Sequence, residues 1–177
     1  MTLRRLSILL LAALPIGAQD ASLGLKVHGL LPMSDLRDLT NGQIGLGAYV
    51  FVDIPVVDGF RFRPTVGVQQ IPKGDTLGLA GTKTSVTSVD LMLDALWFPG
   101  EDAQHGPYLV GSIGGQQWRV SSTGSSPSVI SATRLGVAGG IGYQASSHLG
   151  IEVKGFWSPI EKNLTATGLI AGATWRF

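Results

Sequence analysis

Residues 87–97 read TSVDLMLDALW. Thr87, Val89, Leu91, Leu93, Ala95 and Trp97 fall on one parity, and Ser88, Asp90, Met92 and Asp94 on the other. Alternation with a period of two marks a β-strand whose two faces meet unlike surroundings. A helix would wrap these apolar side chains around its axis, and a strand buried between two apolar layers would not carry two aspartates. This strand needs a greasy medium on one side and a polar one on the other.

The same demand recurs along the chain. Strands are predicted over about 21–31, 43–54, 60–70, 86–97, 107–118, 132–144, 149–158 and 165–177. In FRFRPTVGVQ (60–69), Phe60, Phe62, Pro64, Val66 and Val68 oppose Arg61, Arg63, Thr65 and Gln69. In QIGLGAYVFVDI (43–54), Ile44, Leu46, Ala48, Val50, Val52 and Ile54 oppose Gln43, Gly45, Gly47, Tyr49 and Asp53. In LGIEVKGFW (149–157), Leu149, Ile151, Val153 and Trp157 oppose Glu152 and Lys154. Beyond Gly115 the fifth strand is ambiguous, because Gln117 and Arg119 share the parity of Leu109 and Ile113; a bulge or an early exit from the sheet is expected there. No stretch after residue 18 shows a helical period. Longer polar connections follow strands one, three, five and seven, and shorter ones follow two, four and six, with Asp58-Gly59 a hairpin signal. An even strand count with this alternation of connections describes a meander closed into a barrel.

At 177 residues the chain is one domain plus a processed segment. Arg4, Arg5 and the apolar run from Leu6 to Ala18 have the form of a secretory signal peptide over residues 1–18, cut between Ala18 and Gln19. That run is too short to cross about 30 Å of hydrocarbon. Residues 19–177 form the barrel domain, and without Arg4 and Arg5 it holds 11 Lys+Arg against 12 Asp+Glu. Such a balance offers nucleic acid nothing to bind. With no cysteine, neither a disulfide framework nor thiol chemistry is available.

Parity does not say which face is inside. A soluble barrel holds its apolar face inward, and a membrane barrel turns it outward. Ten charged residues lie in the predicted strands: Lys26, Asp53, Arg61, Arg63, Asp90, Asp94, Arg134, Glu152, Lys154 and Arg176. All ten share the less apolar face, which also carries Gly24, Gly45, Gly47, Gly67, Gly114, Gly136, Gly140, Gly142, Gly168 and Gly172. Glycine weakens a solvated strand, but inside a narrow barrel it makes room for long neighbours. Residues 87–97 span about 36 Å, or roughly 25 Å at a 45° tilt, the height of an outer-membrane apolar band. Phe60, Trp97, Tyr143, Trp175 and Phe177 would form a girdle at the short-turn end, and Trp157 marks the other. The fold expected is all-β, an eight-stranded antiparallel up-and-down transmembrane β-barrel. Its ten charges should form a network that plugs the lumen, with Arg63–Asp94 as the first pair and Glu152 and Lys154 linked to Arg134.

The closing stretch TATGLIAGATWRF (165–177) completes a set: export signal, eight amphipathic strands, no cysteine, terminal phenylalanine. In this set the chain resembles the bacterial outer-membrane β-barrel proteins of the OmpA, OmpX and opacity type. That resemblance implies residence in the outer membrane, lipid around the wall, and the barrel-assembly machinery as a partner during biogenesis. It also implies that Phe177, Trp175 and Ala173 form the assembly signal that the machinery reads. A monomer is expected.

No catalytic constellation is present in the sequence. His28, His105 and His148 lack metal-ligand spacing, so neither a metal nor another cofactor is expected. Ser147 and His148 are adjacent in a tight turn, so their side chains are expected to point to opposite faces. Gly139–Gly142 is followed by no helix and is not a phosphate loop. The expected function is non-enzymatic: a structural or surface-interacting barrel acting through extracellular loops. Those loops lie around Asp35–Asn41, Lys73–Lys83, Ser121–Ser131 and Ile160–Asn163, with periplasmic turns at Asp58, Asp102 and Ser146. A narrow channel for small or apolar solutes and a lipid A-modifying barrel enzyme are the alternatives. The sequence names no loop ligand.

Overall fold

Alternating sequence becomes eight strands, each hydrogen-bonded to the next: β1 (Ser22–Met33), β2 (Gly45–Val57), β3 (Phe60–Asp75), β4 (Lys83–Trp97), β5 (Gly106–Thr123), β6 (Ser128–Gln144), β7 (Leu149–Glu161) and β8 (Leu164–Arg176). The computed structural model describes residues 21–100, 105–124 and 127–177. The signal peptide over 1–18 and the turn at Asp102 lie outside the described residues. All neighbours are antiparallel, and β1 pairs with β8 from Gly24↔Arg176 to Met33↔Thr167, closing the sheet into an up-and-down barrel.

The apolar parity faces out. Leu46, Val66, Leu91, Ile141 and Ile151 are exposed along the outer wall, whereas Lys26, Asp53, Arg63, Asp90, Asp94 and Glu152 are buried inside. Glycine allows this packing. Gly24, Gly67 and Gly142 stand in register beside Phe51, Tyr49 and Tyr108, and a Cβ on any of them would lie within 2.2 Å of the neighbouring ring. The large ring takes the space its cross-strand neighbour leaves empty.

The barrel has two unlike ends. At the lower end are the two short turns after β2 and β6, the β4–β5 connection, and both ends of the described chain. Gly59 there has φ 72°, the left-handed conformation that the Asp58-Gly59 turn requires. The upper end carries the remaining connections. Its strands run further than the sequence suggests: β3 and β4 leave only residues 76–82 between them, β5 continues to Thr123 and β6 begins at Ser128. The ambiguity in β5 resolves without a bulge, since β5 pairs continuously with β4 as far as Thr123 and with β6 as far as Ser122. Gln117 and Arg119 simply point outward, exposed, because the strand has climbed out of the apolar band.

The first upper connection holds a helix that the sequence did not announce, α1 (Ser34–Thr40). Two turns are too short to display a period. Tertiary contacts hold it: Leu36 is fully buried, Asp35 Oδ2 accepts from the Thr165 amide at 2.8 Å, and the Asp38 carbonyl accepts from the Leu77 amide at 2.9 Å.

Candidate functional site

The lumen is filled in three layers. At the bottom Leu96, Phe98, Tyr108 and Val110 pack together, with the Phe98 and Tyr108 rings 4.9 Å apart. The charged layer lies above. Asp53 accepts from Arg176 at 3.2 Å and Arg61 at 3.3 Å, with Arg63 at 3.7 Å. Glu152 pairs with Lys26 and Arg63 and accepts the Tyr108 hydroxyl at 3.0 Å. Lys154 donates to Asp94 at 3.2 Å and to Ser112 at 3.0 Å. Asp90 accepts from the Tyr49 hydroxyl and from Gln116 at 3.2 Å. Arg63 also lies over the Phe51 ring, 4.7 Å from its centre. Charges taken out of water persist only when paired or hydrogen-bonded: eight of these nine have an oppositely charged partner, and Asp90 is held by the Tyr49 hydroxyl and Gln116 instead.

The top layer is apolar. Leu30, Ile71, Val86, Trp118, Phe156, Ile160 and Ile170 form a buried cluster under α1, with Leu36 among them. Trp118 and Phe156 stack at 6.4 Å, and the Trp118 indole donates to Ser158 at 3.1 Å. These residues share the polar parity of their strands, so the alternation that identified the wall concealed the cap. A large apolar residue on the lumen parity was the available signal. Between the layers the lumen keeps a cavity of about 30 Å³, bordered by Lys26, Tyr49, Asp94, Gln116 and Lys154. That is room for about two waters.

Nine of the ten expected charges are in this network. The exception is Arg134, which is exposed and donates to the neighbouring Thr133 carbonyl at 3.2 Å. β6 meets β7 only between Val137↔Trp157 and Gln144↔Gly150, so Arg134 pairs with β5 alone, beyond the reach of β7, and does not meet Glu152 or Lys154. Arg63 and Asp94 are register partners, yet Arg63 bonds to Glu152 and Asp53 while Asp94 bonds to Lys154. His28 is buried and stacks on Tyr49 at 5.0 Å, a packed lumen group. Ser147 and His148 lie in the expected turn, but their side chains do not diverge: Ser147 Oγ is 2.9 Å from His148 Nδ1. Both are exposed, and among the described residues no carboxylate is hydrogen-bonded to that imidazole. Trp97, Tyr143, Trp157, Trp175 and Phe177 project outward as expected. Ala173, Trp175 and Phe177 lie at the lower end, where β8 pairs with β1.

The upper rim is uneven. β6 pairs with β5 at 17 positions but with β7 at only 8. Residues 128–136 therefore stand above the barrel wall with one edge free. β7 turns away from that edge: Pro159 has no amide to offer, the β7–β8 register shifts between Pro159 and Glu161, and Ile160 is buried in the apolar cap.

No protein-family model matches this chain, and no curated protein sequence matches it significantly. Solved structures do. Ail, the attachment invasion locus protein of Yersinia pestis, superposes with a TM-score of 0.60 at 10% identity over 89% of this chain and 97% of that one. Neisserial surface protein A gives 0.56 at 18% identity over 91% and 99%. The N-terminal β-barrel domain of Pseudomonas aeruginosa OprF gives 0.55 at 12% identity over 88% and 97%. At such identities the likeness is one of fold, and it shows the chain to have the closed eight-stranded architecture of these barrels.

Proposed function

We propose that this chain is an integral barrel of the bacterial outer membrane, non-enzymatic and closed to solutes, with its upper end facing outside the cell in a surface-interaction role. One observation carries the membrane reading: the outer wall is apolar on every strand, while nine charged residues are inside. Water would favour the opposite arrangement, and only a hydrocarbon surround rewards this one. The interaction role draws on the uneven upper rim and on fold neighbours whose own names speak of attachment and of a cell surface. A channel would need a continuous path, and the cavity bordered by Lys26, Asp94 and Lys154 holds about 30 Å³.

A tag inserted at Gly81, in the β3–β4 link, should be labelled on intact Gram-negative cells, and the protein should fractionate with the outer membrane. Purified protein in planar bilayers should give no steady conductance. Labelling only after the outer membrane is breached would reverse the orientation, and a stable open channel would overturn the closed lumen.

A further inference from the structure

Around Asp53 the lumen charges do not balance. One oxygen, Asp53 Oδ2, takes Arg176 Nη1 at 3.2 Å, Arg61 Nη1 at 3.3 Å and Arg63 Nη2 at 3.7 Å. Arg63 has a second carboxylate in Glu152, but Arg61 and Arg176 pair with Asp53 alone among the described residues. Across the layer Lys26, Arg61, Arg63, Lys154 and Arg176 share the three carboxylates of Asp53, Asp94 and Glu152, because Asp90 is held by neutral groups.

The surplus has a place. Arg176 is 5% exposed and uses only Nη1 on Asp53. Its Nε and Nη2 are buried without a hydrogen-bond partner among the described residues, and so are the Nε groups of Arg61 and Arg63. Nε and Nη2 of one guanidinium form a planar fork, an edge that takes two oxygens of one anion side by side. Buried donors left unmade are costly, and uncompensated buried charge more so. The apolar floor does not seal this cluster completely. The Arg61 side chain is 13% exposed, and its guanidinium carbon lies 6.0 Å from the centre of the Phe98 ring.

We propose that the lower end of the lumen binds a small free oxyanion, a carboxylate or a phosphate-like ion, in the Nε–Nη2 fork of Arg176. The anion enters as Arg61, a long side chain at the mouth, swings off Asp53 to pair with it. A halide has no second oxygen for the fork. A lipid phosphate has the oxygens but lies outside the wall, whereas Arg176 is buried inside it. The packed layers above make the site a dead end, so binding is not passage.

The test holds the full-length protein in nanodiscs of zwitterionic phospholipid and follows isotope-labelled arginine side chains by NMR. The Arg176 Nε–H signal is identified by its loss in R176K. Inorganic phosphate and acetate should each shift it saturably, about tenfold more tightly than chloride at matched ionic strength, the worth of one charge-assisted hydrogen bond. R176K keeps a charge beside Asp53 and loses the fork. Its Arg61 and Arg63 Nε–H signals should show no preference for oxyanion over chloride. An Arg176 signal that ignores phosphate overturns the proposal, as does an R176K variant that still prefers phosphate. A shift produced by anionic lipid alone would make a headgroup the ligand and equally overturn it. So would binding that appears only after Glu101→Gln and Asp102→Asn in the β4–β5 connection, since the chain would then supply the counter-ion itself.

Discussion

Asp94 shows how much of the lumen hangs on single groups. Its carboxylate takes Lys154 at 3.2 Å from three strands away, and both side chains are almost fully buried. Removing one partner of such a pair strands the other, at a loss of about 3–5 kcal/mol. Asp94→Ala should therefore lower the urea midpoint for the barrel folded into vesicles. Leu91→Arg, on the opposite face of the same strand, should lose about 2–4 kcal/mol by placing a charge in lipid. Both variants neutral in that assay would mean that inside and outside are exchanged. The inward set was legible in the sequence because parity groups the charges on one face and the glycines on that face mark it as the inner one. The partners were not, because a lumen only a few side chains wide brings opposite walls together. Arg63 on β3 bonds to Glu152 on β7, half the barrel away, in preference to its register neighbour Asp94. Arg134 has the right parity, but no alternation within β6 tells that β7 will stop short of it.

Among the elements, the eight strands were readable since each repeats one two-residue pattern, and α1 was not, since it is held only by what it touches. Gly74 in β3 tests those contacts. A Cβ there would stand 1.8 Å from the Thr40 carbonyl oxygen, an overlap that either β3 or the helix must relieve by moving. The chain has no cysteine, so a Leu36→Cys variant gives a clean probe. Leu36 is fully buried and should resist maleimide, and adding Gly74→Ala should make it reactive. Unchanged protection would show that the helix is not seated through this approach. The last strand carries a different demand. β8 must find β1 to close the sheet, and the resemblance to outer-membrane barrels assigns Phe177 to the assembly signal. Deleting Phe177 should reduce the amount of membrane-inserted, heat-modifiable protein while leaving export to the periplasm intact. Assembly at the normal level would remove that role from the residue.

For the whole molecule, the central claim is an inversion: charges within, hydrocarbon without. Its four tryptophans report on it with no foreign probe. Trp97, Trp157 and Trp175 are each about half exposed on the outer wall, the first and last near the lower end and Trp157 near the upper limit of β6–β7 pairing. Trp118 is 1% exposed, inside the apolar cap. Aromatic side chains on the wall of such a barrel belong at the two interfaces of the bilayer. Single-tryptophan variants, with phenylalanine at the other three positions, should be folded into vesicles containing lipids brominated at graded depths. Trp97, Trp157 and Trp175 should be quenched most strongly by bromines placed near the headgroups, and Trp118 should be quenched weakly at every depth. Strong quenching of Trp118 with the three wall tryptophans shielded, or no quenching of any of them, would contradict a barrel that turns its apolar face to the membrane.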